Sequence, residues 1–228
     1  MSLRLSIIIP TLDAADALPE TLDSLLPGLA AGVIRELIVS DGGSSDATLQ
    51  IADDAGAVIL RGQAGRGGQL RRGAAVAKSD WLLFVHADTH LPPNWVGALA
   101  VHADRHSAQA AAFRLKFRAT GVFPRLVAGW ANLRSRFFGL PYGDQGLLIP
   151  AELYGAIGGF SEQPLMEDVA MALALRGRLR ILSDCVETSA ERYIAGGWLR
   201  RGARNLWLLL RYLCGADPRD LAQAYHKS

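Results

Sequence analysis

Cysteine is nearly missing from these 228 residues: there are two, Cys185 and Cys214. Neither belongs to a C-x-x-C pair or has a histidine at zinc-ligand spacing. That excludes a cysteine metal centre and a disulfide framework, and both read as ordinary buried thiols of a reducing compartment. An excess of one charge is missing too. Lys and Arg number 24 against 22 Asp and Glu, and a net +2 gives no general attraction to nucleic acid. No apolar run approaches the roughly 18 to 20 residues that a membrane-spanning helix needs. The N-terminal stretch Leu5 to Ile9 is cut by Pro10, too short for the apolar region of a signal peptide, so the sequence predicts a cytoplasmic protein. Two phosphate signatures are also lacking. No G-x-G-x-x-G follows the first apolar run and no G-x-x-x-x-G-K-[ST] occurs, which removes most of the case for a dinucleotide oxidoreductase or a P-loop enzyme.

What is present is a strand, loop, helix rhythm, with 50% hydrophobic residues to build one good core. Ser6 to Ile9 is a β-branched run, followed by Leu18, Leu22, Leu25 and Leu26 at helical spacing until Pro27-Gly28 stops them. Glu36 to Val39 repeats the pattern, with Asp46 as N-cap of a helix ending near Gly56. Val58 to Leu60 is a third strand, then comes a helix from Gln69 to Lys78, then Trp81 to Val85. This alternation predicts an α/β fold with a mostly parallel sheet and flanking helices over the first hundred residues. Further on, Phe113, Leu115 and Phe117 alternate with Arg114, Lys116 and Arg118, predicting an edge or antiparallel strand. Pro124 to Phe138 and Val169 to Arg176 read as helices and Gly146 to Ile149 as a strand. No linker separates the halves, so one domain is expected, in three stretches: 1–105, 106–195 and a basic C-terminal helical segment (196–228).

Trp81-Leu82-Leu83-Phe84-Val85 breaks into His86-Ala87-Asp88. A strand apolar at every position is covered on both faces, and parallel sheets bind ligands beyond the carboxyl ends of their strands. Asp88 therefore stands where a ligand or metal contact is expected. Thr11 and Asp13 after the first strand and Asp41 after the second would share that edge, making an acidic crevice. A diphosphate meets such a crevice through a divalent cation on a carboxylate, helped by arginine. The segment Gly65 to Gln69, with Arg66, and Arg71 and Arg72 beyond it, supplies that positive charge.

Four strings, SIIIPTLDAADALPETLDSLL, IVSDGGSSDAT, WLLFVHADTHLP and GGFSEQPLMEDVAMALALRGRL, occur in order. Together they resemble glycosyltransferase family 2, inverting enzymes of the Rossmann-like GT-A fold. The likeness is closest to a small bacterial branch with a HAD-type metal motif, PLMED and a basic C-terminal helix. The resemblance implies transfer of a sugar from a nucleotide-diphosphate donor, UDP-linked first among several, to an acceptor hydroxyl on a saccharide or lipid-linked molecule. By that resemblance Pro10, Thr11, Asp13, Arg66, Arg72 and Ala87 line the donor pocket, and Asp41 accepts from the base. Asp88 binds Mg²⁺ or Mn²⁺. Where the family often has Asp-x-Asp, this chain has His86, whose neutral imidazole suits Mn²⁺ better than Mg²⁺. Asp168 corresponds to the general base, which takes the acceptor proton as attack proceeds. Glu167, Asp144 and Gln145 fall on the acceptor side. A nucleotidyltransferase acting on a sugar phosphate and a non-catalytic nucleotide-sugar-binding module stay open as alternatives.

The C-terminal helix is amphipathic and basic: Arg200, Arg204 and Arg211 fall on one stripe, with Leu206, Leu209, Leu210 and Leu213 opposite. Two uses compete. Arg200 and Arg201 reach the donor pyrophosphate, or the helix makes peripheral contact with the inner face of a membrane.

Overall fold

A computed structural model describes residues 3–226. The first half runs β1 (Leu5–Thr11), α1 (Leu18–Asp23), α2 (Leu26–Ala30), β2 (Ile34–Asp41), α3 (Thr48–Asp54), β3 (Val58–Arg61), α4 (Arg66–Val76), β4 (Trp81–Phe84), β5 (Thr89–His90) and α5 (Trp95–Arg105). The second half runs β6 (Ala110–Phe117), α6 (Val122–Phe138), β7 (Leu147–Pro150), α7 (Ala151–Ala156), α8 (Glu167–Ala174), β8 (Leu179–Thr188), α9 (Glu191–Gly196), α10 (Trp198–Leu213) and α11 (Pro218–His226).

All strands join one eight-stranded sheet in the order β3-β2-β1-β4-β7-β6-β8-β5. The neighbours β3, β2, β1 and β4 are parallel. β7 is antiparallel to both β4 and β6, so β6 and its parallel partner β8 point the same way as the first four. The reversed β7 decides where the site forms. Its first residue, Leu147, pairs with Phe84, the last of β4. The turn before β7 therefore lies at the same edge as the loops after β1, β2 and β4.

The apolar β1 run is covered on both faces, as a parallel strand's should be. Ile7 and Ile9 join Val39, Leu83 and Trp95 on one side. Ile8 joins Ile38, Leu82, Phe84 and Leu70 on the other. Trp95 is fully buried and its indole N–H donates to the Ser24 carbonyl at 3.1 Å. Gly28 admits that ring, since a Cβ there would stand 2.3 Å from Trp95 Cζ2.

The GT-A architecture expected from the sequence is present, with local corrections. Pro27 does not end the first helix. It opens α2, where its missing N–H costs nothing because a helix's first amides have no partner in any case. Asp46 does accept the Thr48 amide at the start of α3, at 2.9 Å. β6 is antiparallel to β7 but is no edge strand, because β8 covers its other side. The ten residues of β8 were not anticipated: its half-exposed pattern carries no clean alternation. Cys214 is exposed and Cys185 half-buried, so neither is the fully buried thiol expected. Among the described residues no helix is long and apolar enough to cross a membrane.

Candidate active site at the carboxyl edge of the sheet

Thr11 and Asp41 end β1 and β2 in register with each other, and the Thr11 hydroxyl donates to Asp41 Oδ1 at 3.0 Å. Asp41 is wholly buried and also accepts from the Ser44 hydroxyl and from the Gly43 and Ser44 amides. Burial opposes its ionisation, yet these donors hold its pKa below the ordinary carboxylate range. Its four acceptor positions are thus engaged within the protein, where the sequence expected one to meet the base. Asp13, in the left-handed region at φ 46°, accepts from the Ser45 amide at 2.8 Å and donates its own amide to the Ser44 hydroxyl at 2.9 Å. The two loops are thereby stitched into one wall. Gln69, a residue the sequence offered no reason to single out, braces it: its amide donates to the carbonyls of Thr11 at 2.7 Å and Ser40 at 2.8 Å. Arg72 donates to the Asp41 carbonyl at 2.8 Å, which makes it a prop of the β2 end.

Opposite this wall stand the acids. Met166 adopts the left-handed conformation at φ 65°, uncommon for a residue with a side chain, and turns the chain into α8. Glu167 and Asp168 follow at the helix N-terminus, where the dipole favours negative charge. Glu167 is buried, with a side chain 3% exposed, and pairs at 3.3 Å with Arg66, whose side chain is 41% exposed. Burial raises the Glu167 pKa and the Asp168 charge adds to that, while Arg66 opposes it. Glu167 therefore holds Arg66, at the start of α4. Asp168 is half-buried, and its Oδ2 accepts the Gly143 amide at 3.0 Å and its Oδ1 the Val169 amide at 2.7 Å. Each oxygen keeps a lone pair for another proton.

The turn before β7, Gly143–Gln145, closes the third side. Gln145 is fully buried, donating to the Phe113 carbonyl at 2.7 Å and accepting from the Ser135 hydroxyl at 2.7 Å. It anchors the turn to β6 and α6. Asp144 has an enclosed Oδ1 with no hydrogen-bond partner. Burial pushes its pKa up to about 6, with Arg134 pulling it down and the charges of Asp168 and Asp88 pushing it up. Arg134 is itself buried, lies 3.4 Å from the centre of the Tyr142 ring and donates to the Leu140 carbonyl at 2.8 Å. Burial pushes the Tyr142 hydroxyl up to about 12.

At the β4 exit, Asp88 is half-buried and its backbone carbonyl accepts from Arg118 at 2.9 Å. Its carboxylate has no hydrogen-bond partner among the described residues. The Ala87 carbonyl accepts from Thr21 at 2.8 Å, fixing this exit. His86 Nε2 is enclosed without a partner, against Gly143. Burial, with the charges of Arg66 and Arg192, holds the imidazole well below its usual pKa, so it is neutral. No three acidic, histidine or cysteine side chains gather as a cation cage among the described residues. The donor set offered to a cation is therefore the free Asp88 carboxylate, with His86 turned to the Gly143 turn.

Residues 6–160 match the family model described as Glycosyl transferase family 2. The chain belongs to that family. Glu167 and Asp168 lie beyond the matched segment of this family 2 chain. It is 39% identical over 93 residues to the glucosyl-3-phosphoglycerate synthase of Mycolicibacterium paratuberculosis, covering 37% of this chain and 28% of that protein. It is 40% identical over 93 residues to a PGL/p-HBAD biosynthesis glycosyltransferase of Mycobacterium tuberculosis, covering 38% and 36%. The match thus spans about a third of these relatives' length. Among solved structures, S. aureus TarS 1–349 in complex with UDP-GlcNAc has a TM-score of 0.64 at 20% identity, over 82% of this chain and 58% of that one. Glucosyl-3-phosphoglycerate synthase from M. tuberculosis in complex with Mn²⁺, UDP and glucosyl-3-phosphoglycerate has a TM-score of 0.56 at 19% identity, over 82% and 70%. Both likenesses concern the fold.

Beyond the family segment, the two arginines expected at the donor part ways. Arg201 donates to the Tyr225 hydroxyl at 2.5 Å and lies 5.5 Å from the centre of the Tyr193 ring. Arg200, one residue earlier, is exposed. Arg134 escaped the sequence reading, although one signal was available: it is the only base on a stripe of small residues, Ala128, Ala131 and Ser135, that an inward helix face would use.

Proposed function

We propose that this chain is a metal-dependent inverting glycosyltransferase, moving a sugar from a nucleoside diphosphate sugar, with UDP-sugars first, to an acceptor hydroxyl. Residues 1–105 serve the donor, 106–195 the acceptor, and 196–228 form the basic C-terminal segment. One observation carries the reading: the Gly143 turn touches the loops of both acids, its amide donating to Asp168 at 3.0 Å and its Cα packed against His86, two residues before Asp88 at the end of β4. Such proximity gives one cleft both a carboxylate for a proton and a carboxylate for a cation.

In this reading the wall of Pro10, Thr11, Asp13 and Asp41 receives the nucleoside, with Asp41 setting the loop's shape. The fold relatives' complexes with UDP-GlcNAc and with UDP and Mn²⁺ support both a uridine donor and a cation here. The free Asp88 carboxylate fits Mg²⁺ or Mn²⁺, which are commonly held by one or two carboxylates plus substrate phosphates. When bound, the cation supplies Lewis-acid stabilisation of the leaving diphosphate. Arg66, steadied by Glu167, answers the same charge from the chain itself. Asp168 takes the acceptor proton as the acceptor oxygen attacks the anomeric carbon. The new C–O bond forms on the face opposite the leaving group, the bond to the phosphate oxygen breaks, and its electron pair stays on the diphosphate. Gly143 holds Asp168 in place through its amide.

UDP release from UDP-sugars, followed with and without Mn²⁺, tests the reading. Asp168→Asn is expected to lose turnover by roughly 10²- to 10⁴-fold while UDP still raises its melting temperature. Undiminished turnover in that variant overturns the base assignment. Pyrophosphate release from a nucleoside triphosphate would mark a nucleotidyltransferase, and donor binding without turnover by the unaltered chain a binding module.

A further inference from the structure

Helix α6 is built inside out. Its inward residues are Pro124, Ala128, Ala131, Arg134 and Ser135, small or polar. Its large apolar residues face outward, with Phe137 69%, Val122 67% and Leu126 58% exposed. A helix on a water-facing surface does the reverse. Helix α10 shares the feature on one side: Leu208 and Leu209 are buried, while Leu199, Trp207, Leu210 and Leu213 are exposed.

The two exposed arcs adjoin. A Cβ on Gly202 of α10 would lie 3.9 Å from Val127 of α6, and Trp130 and Leu206 line the same narrow cavity between the helices. By helical spacing, Arg125 and Arg136 border the α6 arc on the side away from α10. Arg200 and Arg211 border the α10 arc on the side away from α6. From residue 122 to 138 and from 192 to 216 there is no Asp or Glu. The joined face is thus an apolar band with cations along both rims and no anion within it. Contiguous apolar surface of this kind marks an interaction site.

A second copy is a poor occupant. A two-fold contact lays the same patch on itself, setting arginine against arginine with no acid to separate them. An anionic bilayer matches on both counts: acyl chains receive the band and headgroup phosphates meet the rims. We propose that the α6–α10 face docks on the surface of an anionic lipid bilayer. The inference goes beyond the glycosyltransferase reading and does not depend on it. The cavity between these helices has Asp144 and Tyr142 in its lining, so the docking face adjoins the Gly143 turn.

Flotation of the full chain with phosphatidylcholine vesicles, with and without phosphatidylglycerol, tests the proposal. The chain is expected to float with the anionic vesicles and far less with the neutral ones. Leu126→Ser, Leu133→Ser and Phe137→Ser combined should reduce partitioning by more than about tenfold. All three side chains are exposed, and an unchanged circular dichroism melt verifies folding. Arg125→Gln, Arg136→Gln and Arg200→Gln combined should erase the preference for phosphatidylglycerol. The proposal is overturned if all protein stays in solution, or if the serine variant floats as the parent does. It is equally overturned if light scattering without lipid finds a dimer that the serine variant turns into a monomer.

Discussion

The Gly143 amide and the Asp168 carboxylate, 25 residues apart in the chain, meet at 3.0 Å. That hydrogen bond joins the turn before the reversed strand β7 to the N-terminus of α8. The same glycine lies against His86, so one small residue couples the β4 exit to the proposed base.

Gly143→Ala should break this coupling. Its Cβ would sit 2.4 Å from His86 Nε2, an atom enclosed within the protein. Either the ring or the turn moves, and a misplacement on the order of 1 Å near reacting groups costs about 100-fold in rate. Steady-state kinetics are expected to show kcat falling much more than KM for the donor rises. Adding His86→Ala to the variant should restore a good part of kcat; a double variant no better than the single one means that the contact is not the cause.

Gly67→Ala is expected to act on stability. The added carbon would lie 1.9 Å from the Ser161 carbonyl oxygen and 3.2 Å from Glu167 Cβ. Backbone does not yield as a flexible side chain does, so α4 must lift from the 160–167 segment, at a cost of about 1 to 3 kcal/mol. Urea denaturation followed by fluorescence reads this as a lowered midpoint at unchanged slope.

Removing the Arg66 cation should divide into two effects. Arg66→Ala leaves Glu167 buried without its counter-ion. Because the arginine is partly exposed, the expected loss is about 1 to 2 kcal/mol rather than the larger cost of a fully buried pair. Isothermal titration should also show UDP affinity falling about tenfold, while Arg66→Lys recovers part of it. Unaltered UDP affinity in the alanine variant removes Arg66 from the donor site.

Asp144 predicts a pH dependence. Its folded pKa of about 6 lies above the ordinary 3.8, so the folded chain holds this proton more tightly than the unfolded one. The stabilising contribution is present in full below the unfolded value and is lost as pH rises through about 6. Asp144→Asn, which mimics the protonated form, should therefore gain on the parent between pH 5 and 8, by an amount on the order of 2 kcal/mol. Melting temperatures across that range measure it, and a gap that does not grow with pH refutes the assignment.

Much of the wall formed by the β1, β2 and β4 exits was legible before any fold was known. Apolar runs ending in Thr11, Asp41 and Asp88 announce both the parallel sheet and the edge where its loops gather, because complete burial of a strand leaves a pattern that needs no distant partner to recognise. The side formed by the Gly143 turn and the start of α8 was less so. Gln145 and Glu167 are polar residues in loop-like or helix-start contexts, and such residues look alike whether they meet a ligand or brace a turn. Only the partners distinguish them: the Phe113 carbonyl and Ser135 for one, Arg66 for the other. β8 was missed because its half-covered residues lack the two-residue alternation that marks a strand with one wet face.

By itself the sequence determined the rhythm of strands and helices, the family, and the identities of the acids and bases available for chemistry, since these depend on local spacing and residue type. The tertiary structure alone decided that β7 runs backward and brings the Gly143 turn to Asp168. It also decided that Asp41 engages its oxygens with Thr11 of β1 and with its own loop, and that α6 turns its large apolar residues outward. Helical periodicity divides a helix into two faces, but which face is covered depends on neighbours far away in the chain.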